Sequence, residues 1–128
     1  MDMNSKNIII SNSNELVRLL PARVVYVESD GNYSTFVLHD KTEQVFSMNL
    51  SHCQQTIEKQ LGKEAEVFIR IGKQLIINRS YIFKVNPNKQ ELWLSGPDKN
   101  VAFKLSASKE ALKQLKLWLE SQTKEARL

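Results

Sequence analysis

The sequence predicts a mostly β protein, a framework of small antiparallel sheets with short helices and a helix at its C-terminal end. Three observations carry that prediction. Short runs rich in Val, Ile, Tyr and Phe recur through the first two-thirds of the chain, divided by polar, turn-forming clusters. Helical spacing of apolar residues replaces them in two places only, near Leu50–Leu61 and Ser106–Glu120. The 128 residues, 41% hydrophobic and 25% charged, suit one globular domain with a core of its own.

Taken in order, Asn7–Ser11 and Glu15–Leu20 form two apolar runs around the turn-like "SNSN", and Pro21 breaks the second. Val24–Glu28 and Tyr33–His39 follow, flanking the polar knot Ser29-Asp30-Gly31-Asn32. Asp30-Gly31 has the chemistry of a hairpin turn with positive φ, which explains Gly31 whatever else the knot does. Asp40-Lys41 turns the chain again, and Gln44–Met48 is a third strand of the meander. Leu50, Cys53, Ile57 and Leu61 then share one helix face, with Ser51 and Gln54 spaced as a capping box and Gly62 as the stop. Cys53 reads as a small core residue. Val67–Ile71 and Gln74–Asn78 are strands joined across Gly72, with Asn78 tying down a strand end. Ile82–Asn86 and Glu91–Ser95 make a hairpin around Pro87-Asn88, and Val101–Leu105 is the last strand. In the final helix Leu112, Leu115 and Leu119 share a face, Lys109, Lys113 and Lys116 share another, and Ser106 and Ser108 are both candidate caps. Tyr26, Phe36, Phe46, Phe68, Trp93 and Phe103 are expected in the core, with Trp118 packing the helix on its sheet.

The residues for catalysis do not meet in this pattern. His39 and His52 fall on a strand end and a helix start, and neighbours such as His52 and Cys53 diverge by about 100° on a helix. The Cys and His spacing fits no zinc site, and no glycine-rich phosphate loop precedes a helix. The expectation is a non-enzymatic protein with no metal and no cofactor. A single cysteine, a polar start at Met1–Lys6 and no apolar stretch of bilayer length make the cytoplasm the expected location, without membrane insertion.

Charge is uneven. Residues 1–64 carry 6 basic and 8 acidic side chains, whereas residues 65–128 carry 12 and 6. From Arg70 to Gln90 there are five cations and no acid, which points to a side that meets a polyanion or to well-solvated strand faces. Three polar stations punctuate the strands: the knot ending in Asn32-Tyr33, the stretch "RIGKQLIINRSYI" (70–82), and "SASK" (106–109).

In sequence order these features resemble the LytTR-type DNA-binding domain of bacterial transcription regulators. The resemblance rests on "VVYVESDGNYSTFVLHD" (24–40), "NLSHCQQTIEKQL" (49–61), "FIRIGKQLIINRSYI" (68–82) and "VAFKLSASKEALKQL" (101–115). It implies an elongated LytTR-like β framework whose successive loops enter adjacent grooves of duplex DNA, as in a response regulator output domain. The contact loops it implies are Gly31-Asn32-Tyr33-Ser34, Gly72-Lys73-Gln74 and Ser106-Ala107-Ser108-Lys109. Asn32 suits an adenine edge and Tyr33 a phosphate. Lys73, Lys109 and Arg79 suit the backbone, beside Gln74, Ser34, Ser106 and Ser108. Arg70 follows strand alternation, which leaves open a backbone contact or, instead, an internal pair with an acid. Many members carry histidine where Gly72-Lys73-Gln74 stands and arginine where Ser108 stands, so the departures bear on sequence specificity more than on affinity.

The expected layout is an N-terminal segment with the first strand at 1–15, the DNA-binding domain at 16–120 and a frayed tail at 121–128, without a receiver domain. The expected partners are double-stranded DNA and a second copy on repeated sites. The alternative is a protein-interaction module on the same fold, docking a sensor or another regulator through a β edge.

Overall fold

A computed structural model describes residues 6–96, 101–124, 126 and 128. Strands β1 (Ile8–Ser11) and β2 (Leu16–Leu19) form the first hairpin, in register Ile8↔Leu19 to Ser11↔Leu16. The Asn12 side chain accepts from the amides of Asn14 and Glu15 and closes its turn. This hairpin includes β1 in the core, since Ile8 is fully buried. Pro21 begins a 3-10 turn rather than merely ending a strand, because its fixed φ suits the first helical position.

A five-stranded antiparallel sheet follows, built from β3 (Val24–Asp30), β4 (Tyr33–Leu38), β5 (Glu43–Phe46), β6 (Phe68–Ile71) and β7 (Leu75–Asn78). The spatial order is β5-β4-β3-β7-β6. Helix α1 (Leu50–Leu61) lays Leu50, Cys53, Ile57 and Leu61 against this sheet and the first hairpin. Phe36 and Phe46 meet edge to face at 5.4 Å within that core. The cap of α1 is Asn49, whose side chain accepts from the His52 amide at 2.8 Å, and not Ser51. The sequence pattern placed the cap two residues late because Asn49 precedes the apolar stripe without the capping-box spacing. Gly62 ends the helix at φ 59, as the spacing predicts.

Asn78 is buried and donates to the carbonyl of Val24 at 2.9 Å, which holds the β7 end to the start of β3. These elements belong to one compact unit, Met1–Arg79, and Ser80–Leu128 form a second. In the second, β8 (Ile82–Asn86), β9 (Glu91–Ser95) and β10 (Ala102–Ser106) form a three-stranded antiparallel sheet in the order β10-β9-β8. Helix α2 (Lys109–Ser121) contributes Leu112 and Leu115 to the core with Leu92, Leu94, Phe103 and Leu105. Lys104 crosses from β10 to Glu91 at 2.8 Å and lies 5.6 Å from the Trp93 ring centroid. That ion pair holds the Glu91 carboxyl below its ordinary range.

Several expected core residues sit at the margin. Tyr26, Phe68 and Trp93 are half-buried, and Trp118 is 36% exposed. Helix α2 ends at Ser121, and residues 125 and 127 of the tail expected to fray lie outside those described.

Candidate nucleic-acid interface

The hairpin between β3 and β4 closes through two residues, Gly31 and Asn32, with Asp30 and Tyr33 paired across it. Gly31 has φ +62 and Asn32 does not have positive φ, the pattern of a type II′ turn with glycine first. The bend is therefore Gly31-Asn32 and not Asp30-Gly31. Asn32 is part of the tip itself, and it is exposed, as is Tyr33 at 60%.

The β6–β7 turn is Gly72-Lys73-Gln74, between the paired residues Ile71 and Leu75. Gly72 also has φ +62, and among the described residues a Cβ there would meet nothing within 4 Å beyond its own chain neighbours. Its glycine answers to backbone conformation alone. Lys73 and Gln74 are exposed. Because β3 pairs with β7, the two turns leave the same end of the sheet, and the Ser29 amide donates to the Gln74 carbonyl at 2.9 Å. Two stations 40 residues apart in sequence thus become neighbours.

Ser34, expected among the DNA contacts, is fully buried. Its hydroxyl donates to the Met48 carbonyl at 2.6 Å, so the Ser29 hydroxyl must donate to Ser34. The Cys53 thiol lies beneath; burial pushes it up, against a hydrogen bond with Ser34. Ser34 welds the hairpin tip to the segment entering α1 and has no exposed surface for DNA.

Arg79 also departs from the set. It is exposed but follows Asn78, at the end of β7 away from the turns, about 13 Å along a strand of this length. The third station belongs to the second unit. Ser106 is exposed at the end of β10, paired with Glu91. Ser108 is the α2 cap, its hydroxyl accepting from the Ala111 amide at 3.1 Å, and Lys109 opens the helix exposed. Lys116 is paired with Glu120 at 3.1 Å, so the lysine stripe is partly neutralised.

Arg70 pairs with no acid among the described residues. Its Nη1 donates to Ser51 Oγ at 3.0 Å and to Gln54 Oε1 at 3.1 Å, and its Nε to the Gly72 carbonyl at 3.4 Å. Strand alternation turns Arg70 toward α1, but the sequence offered no way to see that neutral groups would receive it.

Small antiparallel sheets joined by glycine-led turns, with helices packed against them, define a β-framework class of domain. Residues 14–120 match the family described as the LytTr DNA-binding domain, and the chain belongs to that family. Its fold is similar to the LytTr DNA-binding domain of a Bacillus cereus protein described as a methyl-accepting/DNA response regulator. The TM-score is 0.60 at 16% identity, over 89% of this chain and 96% of that one. Comparison with curated proteins finds no match. Among the described residues no helix is long and apolar enough to cross a membrane, and no group of His, Cys, Asp and Glu is placed to hold a metal ion.

Proposed function

We propose that this chain is a non-enzymatic, cytoplasmic transcription regulator that binds duplex DNA through its turns. The observation that carries the proposal, beside family membership, is the adjacency of the Gly31-Asn32 and Gly72-Lys73-Gln74 turns on one end of the five-stranded sheet. Asn32 has the donor and acceptor to pair with an adenine edge. Tyr33 and Lys73 supply phosphate contacts beside it, with Gln74 able to donate to either. Ser106, Ser108 and Lys109 form a second contact from the other unit, entering a neighbouring groove. The Ser108 hydroxyl still donates its proton while capping α2. Arg79 takes a backbone contact apart from the two turns. Two copies on a repeated site complete the reading.

The test is binding to mixed-sequence duplex fragments at low and moderate salt, followed by sequencing of what is retained. With about six phosphate contacts the log–log salt slope is expected near −5, and a retained consensus is expected. Failure to bind at low salt would favour the second reading, a protein-interaction module that docks a sensor or regulator. A specific feature favours it: β5 is a sheet edge with Val45 58% exposed, beside a groove of about 440 Å³ lined by Ile9, Phe46, Met48 and His52.

A further inference from the structure

A cation that meets a phosphate is most effective when its orientation is set before the encounter, because less side-chain freedom is lost on binding. Arg70 satisfies that condition. Both Nη1 hydrogens are taken by Ser51 and Gln54, and the Nε hydrogen by the Gly72 carbonyl. The two hydrogens of Nη2 have no partner among the described residues, and the residue is exposed. All three acceptors are neutral, so the guanidinium keeps its whole charge against the turn that carries Lys73. A purely structural staple would gain more from a carboxylate partner here, and the one carboxylate on α1, Glu58, accepts from Gln54 instead at 3.2 Å.

We propose that Arg70 is a further DNA-backbone contact, held by the first turns of α1 and the β6–β7 turn so that Nη2 is presented to a phosphate beside the one bound by Lys73. The inference rests on the DNA-binding reading above and deepens it. Ser51 and Gln54 become positioning residues: they touch no phosphate, but they set the direction of the group that does.

The experiment measures binding of a mixed-sequence duplex over a range of salt, with melting followed for each variant. Arg70→Gln is expected to lower the magnitude of the log–log salt slope by about 0.9, one phosphate contact, and affinity by about fivefold, the scale of an exposed ion pair. The sequences retained should not change. The Ser51→Ala/Gln54→Ala double variant keeps the charge, so its slope should match the wild type while affinity falls. Arg70→Lys, which keeps charge without the fork, should keep the slope too, and it serves as the reference if Arg70→Gln melts early. A wild-type slope in folded Arg70→Gln overturns the inference while leaving DNA binding intact. Absence of binding by the wild-type chain overturns both.

Discussion

Replacing Ser34 by alanine is expected to destabilise the first unit by about 2–3 kcal/mol without touching any group that faces DNA. The magnitude follows from the relay Ser29 hydroxyl to Ser34 hydroxyl to Met48 carbonyl, in which both serines are buried. Alanine breaks both bonds of the relay, besides the weak one to the Cys53 thiol, and leaves one hydroxyl donor and one carbonyl acceptor in the interior, each costing about 1–1.5 kcal/mol. Ser29→Ala removes only the first link, so about 1 kcal/mol is expected. The double variant should be no worse than Ser34→Ala, because the orphaned Ser29 donor is gone, giving a coupling of about 1 kcal/mol. Both tryptophans, Trp93 and Trp118, lie in the second unit, so their fluorescence does not report this loss. Urea unfolding should be followed by far-UV circular dichroism and by amide exchange at Val27 and Phe36. A Ser34→Ala variant within 0.5 kcal/mol of wild type, or strictly additive single losses, would refute the relay.

Lys73→Ala should weaken binding to all duplex sequences nearly alike and reduce the salt slope by about 0.9, read from titrations at several salt concentrations. Asn32→Ala should cost about 1–3 kcal/mol on a selected site and relax preference at one base pair, read by repeating the selection; an unchanged preference would remove Asn32 as a base reader. Asp30→Asn should tighten binding at low salt, since an exposed carboxylate beside the tip repels phosphate. The Glu91 carboxyl is held below its ordinary value of 4.5, first by the Lys104 hydrogen bond, so its contribution is complete above that pH and is lost as pH falls through the folded-state value. Glu91→Gln should therefore flatten the acid limb of the second unit's unfolding, read by the fluorescence of Trp93 and Trp118.

Strand order in the chain was legible because apolar runs alternate with turn chemistry, and every strand and both helices lie within a few residues of the positions the pattern implies. Gly31, Gly62 and Gly72 each proved to hold a positive φ where a turn or helix end was expected. What the sequence could not show was pairing between distant strands. The β3–β7 ladder, which brings Asn32 beside Lys73 and sends Arg79 to the far end, depends on contacts some 50 residues apart. Ser34 illustrates the same limit. Its neighbour Tyr33 is 60% exposed and Ser34 is buried, because successive residues face opposite sides of a strand. A polar residue beside a turn looked available for DNA, yet its partner was a carbonyl fourteen residues away.

The most direct measurement is amide chemical-shift mapping of the labelled chain titrated with duplex DNA at low salt. The result expected is that shifts concentrate at 30–33, 72–74 and 106–109, with Arg70 side-chain signals moving alongside, and that they collapse as salt is raised. Shifts confined instead to the groove of Ile9, Val45 and His52, or none at all, would contradict binding of DNA through the turns.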